Sequence, residues 1–385
     1  NMNSSTVKDA HGNSYVILDA LASVEKAKDS FGITPPVAPP TGVLMGRVVN
    51  SSNNVIKDAD VTIYRTSIGD SNLEDYSSSI KTDENGNFEF ILEEGNYNLI
   101  ISKIGYLPVT INNISIIPDS VEYMESTILT EGIFDFLVSR VKGNVTNALT
   151  GDEVVGATIK FRKGWNSTIG DYTKNIFGKV RSVETGIFGE FDISIPIGNY
   201  TAEVSKDGFV VGYYNIVSAN VDNNYNLVLT PILSEDEYRI VLTWGSTPRD
   251  LDSHLTGTLD SEQLFHVWYY SRRYIVDGEI MAELDLDDTS SYGPETVTMT
   301  VQADMLENGI YRYSVHDYTN RSSLTSNQLS MSGANVKLYK GNDLIRTINV
   351  PINAQGNLWT VFEIENGELK IVNTMSFESR PSNIK

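Results

Sequence analysis

The sequence contains no cysteine, which excludes disulfide bonds, thiolate metal sites, iron–sulfur clusters and cysteine nucleophiles. It also lacks any apolar run of about 18 residues, the length that a membrane-spanning helix requires. Positive charge is in short supply, since the formal net charge is −21. Such an acidic surface repels phosphate backbones and anionic lipid headgroups. We therefore expect neither nucleic-acid binding nor membrane insertion.

The residues that are abundant favour β-strands. The chain has 385 residues, 20 of them tyrosine, and is rich in threonine, isoleucine and valine, all of which fit pleated, half-buried strand surfaces. Hydrophobic residues make up 40% of the chain, enough for several separate cores. A chain of this length is expected to fold as about two to four domains. We predict an all-β protein with three β-sandwich domains in tandem.

The first 40 residues differ from the rest and are interpreted as an N-terminal extension with a linker. Residues 16–28 have apolar side chains at helical spacing, so we expect one short helix there. Residues 33–42 contain four prolines, which favour an extended, polyproline-like spacer. The first folded domain is therefore predicted to begin at residue 41.

An internal repeat covers the next two hundred residues. Gly95-Asn96-Tyr97 recurs 103 positions later as Gly198-Asn199-Tyr200, and other glycine-containing turns recur with the same offset. Between the turns, apolar residues alternate with polar ones, as in Phe88, Phe90 and Leu92. Short alternating segments separated by turns are typical of β-sandwiches. The repeat predicts two sandwiches, residues 41–131 and 132–233.

The repeated segments resemble the carboxypeptidase regulatory-like domain. In the first copy the resemblance depends on Gly46-Arg47-Val48, Asp58-Ala59-Asp60-Val61, Asp83 to Phe88, Gly95-Asn96-Tyr97 and Gly105-Tyr106. In the second it depends on Gly143, Gly156-Ala157, Gly189-Glu190-Phe191, Gly198-Asn199-Tyr200 and Gly208-Phe209. This resemblance implies a seven-stranded, prealbumin-like sandwich that serves as a spacer or interaction module. It implies no peptidase activity.

Residues 234–385 do not follow the repeat and contain three of the four histidines. An alternating segment ends at Trp244 and is followed by Asp250-Leu251-Asp252-Ser253-His254. If this segment is extended, Asp250, Asp252 and His254 share one face of a strand. A third β-sandwich with an aspartate and histidine cluster is therefore predicted.

This region resembles an uncharacterised bacterial domain family. The shared signature is Asp-Leu-Asp-x-His, then Leu-Asp-x-Asp, Gly-Pro-Glu and Tyr-Arg-x-x-Val-His; here it is found at residues 250–254, 284–287, 293–295 and 311–316. The resemblance implies a β-sandwich in a bacterial surface setting. It implies no particular activity.

The clustered aspartates suggest a divalent-cation site, because hard cations require several oxygen ligands. Calcium is the expected ion, although ligation by the histidine would favour a transition metal. In the alternative interpretation the aspartates cap turns, and His254 and His316 are ordinary core residues. The candidate ligands are Asp250, Asp252, His254, Asp285, Asp287 and Asp288, with Glu295 in reserve.

Three functions remain open. We favour a non-catalytic bacterial protein, secreted or at the cell surface, which acts as a stalk or adhesion module towards surface proteins or polysaccharide. Carbohydrate binding is the first alternative, because His266, Trp268 and Tyr270 share one face of a predicted strand and offer rings for stacking. A hydrolase that uses the aspartate carboxylates is the second.

Overall fold

The computed structural model describes residues 4–8, 14–18, 39–66, 76–132, 137–219, 223–259, 263–300 and 309–385. Within these ranges the regular structure is β-strand, apart from one 3₁₀ turn at Pro381–Asn383. The all-β prediction is therefore confirmed. The chain divides into two compact units, Asn1–Pro40 and Thr41–Lys385.

In the first unit two short strands form a hairpin-like pair. Strand β1 (Ser4–Lys8) runs antiparallel to β2 (Ser14–Leu18), with Ser4 opposite Leu18. The helix expected over residues 16–28 is not shown, since residues 16–18 belong to β2 and residues 19–28 lie outside the described part of the chain. Tyr15, Val16 and Ile17 are strong strand formers, and pairing with β1 outweighs their helical spacing.

Among its described residues the first sandwich has eight strands: β3 (Thr41–Asn50), β4 (Asp60–Arg65), β5 (Ser77–Lys81), β6 (Asn87–Glu93), β7 (Gly95–Ser102), β8 (Val109–Ile116), β9 (Val121–Tyr123) and β10 (Thr127–Leu129). One sheet has the order β10-β3-β6, with β9 also paired to β3, and the other has the order β5-β4-β7-β8. Phe88, Phe90 and Leu92 point into the core between the sheets, as the alternation predicts. Gly86 has a φ of +75°, which its turn requires and which glycine adopts without strain.

The second sandwich repeats this arrangement of strands. Its members are β11 (Val138–Asn147), β12 (Thr158–Lys163), β13 (Ser182–Glu184), β14 (Glu190–Pro196), β15 (Gly198–Ser205), β16 (Gly212–Ser218) and β17 (Asn223–Leu229). Strand β11 pairs antiparallel with β14 and parallel with β17, just as β3 pairs with β6 and β10. The second sheet has the order β13-β12-β15-β16.

The third sandwich is larger. Its strands are β18 (Glu237–Thr243), β19 (Leu251–Leu259), β20 (Gln263–Val267), β21 (Arg273–Val276), β22 (Glu279–Leu286), β23 (Glu295–Thr300), β24 (Ile310–Asp317), β25 (Asn335–Lys340), β26 (Asp343–Asn349), β27 (Leu358–Glu365) and β28 (Glu368–Ser376). A six-stranded sheet, β21-β22-β23-β18-β25-β26, faces a five-stranded sheet, β20-β19-β24-β27-β28. Between them lies an apolar core that includes Ile240, Leu255, Val297, Tyr313 and Trp359.

Within Thr41–Lys385, each sandwich contacts the other two. Trp165 of the second sandwich is buried in the core of the first. Val228 and Tyr339 belong to a small apolar cluster between the second and the third. Arg346 of the third forms an ion pair at 2.5 Å with Glu122 of the first. The three sandwiches are therefore parts of one compact unit.

Candidate metal centre in the third sandwich

The cross-strand register of β19 and β24 brings aspartate and histidine together. Asp252 lies opposite His316, two residues from His254 along β19. Leu251 and Val315, on the other face of the same two strands, pack into the core. Asp252 and both histidines therefore lie on the face of these two strands that is turned away from the apolar core, yet they are only 3%, 0% and 0% exposed.

Two carboxylates reach the same place from the six-stranded sheet. Glu295 is the first residue of β23 and is fully buried, and Asp287 follows the last residue of β22. Strand β19 pairs with β20 only from Leu255 onward, so Ser253 has no paired residue in β20. Its backbone N–H donates a 2.5 Å hydrogen bond to Glu295 Oε2, which fixes that carboxylate against β19.

These side chains form two groups that share one member. In the first, which we call the histidine subsite, the ligand atoms of Asp252, His254 and His316 lie within 4.8 Å of one another. In the second group, which we call the carboxylate subsite, the ligand atoms of Asp252, Asp287 and Glu295 also lie within 4.8 Å of one another. Ligands of a single ion have this spacing, because metal–ligand bonds in proteins are about 2.0–2.6 Å long.

Each member of both groups keeps a buried polar atom without a hydrogen-bond partner. These atoms are Asp252 Oδ2, His254 Nε2, His316 Nδ1, Asp287 Oδ1 and Glu295 Oε1. Buried polar atoms are nearly always hydrogen-bonded, so five unpartnered ones in one place require an explanation. A bound cation would supply it.

The second nitrogen of each imidazole is fixed by a hydrogen bond. His254 Nδ1 lies 2.8 Å from His266 Nε2, and His316 Nε2 lies 2.9 Å from the carbonyl oxygen of Glu378. A carbonyl only accepts, so His316 Nε2 carries the proton and Nδ1 presents a lone pair. Metal-binding histidines in proteins almost always have such an outer partner.

Burial shifts the pKa values of four residues in the two groups. Burial, together with the charges of Asp250 and Asp287, raises the pKa of Asp252 to about 8. Burial and the charge of Asp252 raise the pKa of Glu295 well above its ordinary value. Burial lowers the pKa of His254 and of His316, so both rings are neutral and available as ligands. A cation would reverse the shifts of the carboxylates, because it stabilises their ionised forms.

Three of the predicted ligands do not join either group. Asp285 is the extra residue of a β-bulge, where Leu284 faces Val297 and Leu286 faces the next residue, Thr296. This extra residue breaks the alternation that placed it beside Asp287, and the carboxylate of Asp285 interacts with Thr298 and Arg239 instead.

Asp288 and Asp250 have other surroundings. The Asp288 carboxylate accepts hydrogen bonds from the backbone N–H and the hydroxyl of Ser290, which is the turn-capping role of the alternative interpretation. Asp250 lies close enough for its charge to raise the pKa of Asp252. Its Oδ1 is also buried without a partner, although Asp250 belongs to neither group.

Of the three rings predicted to bind a ligand, two are stacked on each other and only the third is exposed. His266 and Trp268 are half-buried and nearly parallel, with centroids 5.0 Å apart, and both pack against His254. Tyr270 alone is exposed, at 82%. It lines an open cleft of about 670 Å³ together with Tyr269, Arg272, Arg273, Glu283 and Asp285.

Two members of the groups are not evident from local sequence patterns. The sequence pattern makes Glu295 only a reserve ligand, and His316 is a core residue in the alternative interpretation. Glu295 belongs to the Gly-Pro-Glu segment of the signature and His316 to the Tyr-Arg-x-x-Val-His segment. Membership of the signature is the only feature of the sequence that marks these two residues as candidates. Neither is close in sequence to Asp252, so local patterns do not show that they meet it.

Comparison with known families supports one part of the sequence interpretation. Residues 43–128 match the carboxypeptidase regulatory-like domain. The resemblance predicted for the first sandwich is thereby confirmed, whereas the second copy and the signature of the third sandwich stay predictions. No curated protein matches the chain. Among the described residues, no helix is long and apolar enough to cross a membrane.

Solved structures similar to parts of this chain include bacterial pilins and a dioxygenase. A streptococcal ancillary pilin is 15% identical, with 57% of this chain and 70% of the pilin covered and a TM-score of 0.20. The shaft pilin SpaA from Lactobacillus rhamnosus GG is 13% identical over 51% and 99% of the two chains, with a TM-score of 0.20. The 3-chlorocatechol 1,2-dioxygenase from Rhodococcus opacus 1CP is 20% identical over 20% and 44%, with a TM-score of 0.18. Similarity this low leaves the function to be argued from the site.

Proposed function

We propose that Thr41–Lys385 is a non-catalytic bacterial surface or interaction module whose third sandwich is stabilised by a buried divalent metal ion at the histidine subsite. The observation that carries this proposal is that Asp252, His254 and His316, which offer ligand atoms within 4.8 Å of one another, each keep a buried polar atom without a hydrogen-bond partner. Without an ion, leaving such atoms unpaired in the protein interior costs about 1–3 kcal/mol each.

The donor atoms favour a transition metal at this subsite. Calcium prefers oxygen ligands, whereas two imidazole nitrogens with one carboxylate suit zinc and its neighbours in the first row. The expectation of calcium is therefore revised for the histidine subsite.

Burial of the ligands supports a structural role for the ion. All three residues are less than about a tenth exposed, so a substrate would have little access to the metal. The same burial counts against the hydrolase alternative, since Asp252 and Glu295 cannot flank a glycosidic bond from the interior.

The mutual contacts of the three sandwiches refine the stalk hypothesis. Arg346–Glu122 and the apolar cluster that contains Tyr339 join modules that would be separate in a chain of independent domains. We therefore propose that Thr41–Lys385 acts as one rigid presenting unit. Small-angle scattering that requires three freely jointed bodies to fit the data would contradict this.

The metal hypothesis can be tested by thermal unfolding. Protein stripped with a chelator should gain thermal stability when zinc is added, because an ion that binds only the folded state raises its melting temperature. His316→Ala should abolish this gain. Asp285→Asn is the matched control, since Asp285 lies in neither group. Equal stabilisation of the wild type and of His316→Ala by zinc would refute the proposal.

Carbohydrate binding stays as a second candidate because of one observation. The cleft beside Tyr270 combines an exposed aromatic ring with the polar side chains of Arg273 and Glu283, a combination suited to a sugar ring. Glycan-array screening of the wild type and of Tyr270→Ala tests this candidate. Binding that survives the substitution would place the sugar elsewhere.

A further inference from the structure

We infer that the carboxylate subsite is a second cation site, selective for a hard divalent ion, which shares Asp252 with the histidine subsite. This inference rests on the proposed function, because it treats Asp252 as a ligand common to two ions. Calcium and magnesium both have the ligand preference that this subsite would satisfy, and the experiment uses calcium as the probe.

Geometry separates the two subsites. A single ion would require the five ligand atoms to lie within one coordination sphere, but the described residues form two groups with Asp252 as the common member. The histidine nitrogens belong to one group, and Asp287 and Glu295 to the other. A carboxylate has two oxygens and can contact two ions, so Asp252 can serve both subsites.

An independent observation points to a ligand in the carboxylate subsite. Glu295 is fully buried and its Oε1 has no hydrogen-bond partner, although its Oε2 is held by the backbone of Ser253. One oxygen is thus fixed, and the Glu295 carboxylate offers a ligand atom within 4.8 Å of ligand atoms of Asp252 and Asp287. This arrangement is costly for a buried carboxylate unless a cation completes it.

The charge balance also favours two ions. When they are ionised, Asp252, Asp287, Glu295 and the nearby Asp250 carry four negative charges, and the neutral histidines add none. Arg321 opposes them, since its charge lowers the pKa of Asp252. Arg321 and one divalent ion at the histidine subsite together balance three of these charges, so one negative charge still lacks a partner and favours a cation at the carboxylate subsite.

The ligand types assign a different ion to each subsite. The histidine subsite offers nitrogen from two histidines and oxygen from one aspartate, whereas all three residues of the carboxylate subsite offer oxygen. Oxygen-only sites select hard cations, and mixed nitrogen–oxygen sites select transition metals. Two neighbouring subsites of different ligand type should therefore bind zinc and calcium together without competition.

The test is calcium titration of the zinc-loaded protein, with the number of bound ions counted by native mass spectrometry. We expect one calcium per protein molecule without loss of zinc. Asp287→Asn should weaken calcium binding by at least about tenfold and leave zinc in place. Asp285→Asn, two residues away in the same Leu-Asp-Leu-Asp segment, should change neither ion. Glu295→Gln provides a second variant if Asp287→Asn misfolds.

Two outcomes would overturn the inference: displacement of zinc by calcium, which means one shared site, or unchanged calcium affinity in both Asp287→Asn and Glu295→Gln. Failure of the proposed function looks different. In that case zinc does not bind the wild type at all, whereas calcium binding that depends on Asp287 would still support the carboxylate subsite.

Discussion

His254 Nδ1 and His266 Nε2 lie 2.8 Å apart, on neighbouring strands β19 and β20. If His254 binds a metal through Nε2, its Nδ1–H donates this hydrogen bond and His266 accepts it. His266 in turn stacks on Trp268, which holds its ring in place. The pair thus connects the histidine subsite to the aromatic residues near the surface.

Replacing His266 should weaken zinc binding without removing a ligand. Loss of an outer hydrogen-bond partner of a metal ligand typically costs about 10–100-fold in affinity. We expect His266→Ala to lower zinc affinity within that range, as measured by competition with a chromophoric chelator. Tyr270→Ala, an exposed ring in the same segment, is the control. If both variants bind zinc as tightly as the wild type, the hydrogen bond does not orient His254.

A methyl group at Gly293 should destabilise the third sandwich. Its φ is +76°, and a Cβ there would lie 2.8 Å from the Trp244 ring and 3.0 Å from the Leu242 carbonyl oxygen. Gly278 also has a positive φ, of +90°, but a Cβ there would meet nothing within 4 Å.

We expect Gly278→Ala to cost about 1 kcal/mol from backbone strain alone. Gly293→Ala should cost about 1–3 kcal/mol more, because its methyl group also overlaps packed atoms. Chemical denaturation of both variants gives the comparison. Equal losses would show that Trp244 moves aside easily.

Trp165 should stabilise the first and second sandwiches together. It belongs to the second, is buried in the core of the first, and its Nε1–H donates a 3.1 Å hydrogen bond to the Ile216 carbonyl. Trp165→Ala should cost about 3–5 kcal/mol and separate the unfolding of the two sandwiches into distinct transitions. Phe177→Ala, at a position that is 87% exposed, should stay within about 0.5 kcal/mol of the wild type. A single unchanged transition in Trp165→Ala would contradict this coupling.

Lys337 should make stability rise with pH in the alkaline range. It is partly buried at the contact between the second and third sandwiches, where its Nζ donates to the Tyr213 carbonyl at 3.0 Å and lies 3.7 Å from the centre of the Tyr214 ring. Burial lowers its pKa from 10.5 to about 8, against the opposing effect of Glu125. Between these two values the unfolded chain binds more protons than the folded one, so the free energy of unfolding increases with pH.

The Lys337→Met variant should lose this dependence. The largest contribution of one such group is about 1.4 kcal/mol per pH unit, so urea midpoints measured from about pH 8 to 9.5 should resolve it. Higher pH is avoided because tyrosines begin to ionise. Lys340→Met, an exposed lysine at the end of the same strand, is the control. An identical slope in the wild type and Lys337→Met would show that Lys337 stays protonated throughout this range.

Much of the fold follows from local patterns. The alternation of Phe88, Phe90 and Leu92 is fixed by the two-residue period of a strand, and these side chains are buried as predicted. The same period places Asp252 and His254 on one face of β19. The helix expected over residues 16–28 shows the limit of local spacing, because residues 16–18 pair as a strand with β1.

The sequence by itself determined that the chain from residue 41 is built from alternating strands and glycine-containing turns, because alternation and glycine-permitted φ angles depend on neighbouring residues alone. It also determined that aspartate and histidine are concentrated in the third sandwich. Only the tertiary structure decided that His316 lies opposite Asp252, that Glu295 approaches from the other sheet, and that the bulge at Asp285 separates it from Asp287. Strand register and sheet packing join residues more than forty positions apart, and their free energy depends on the whole core.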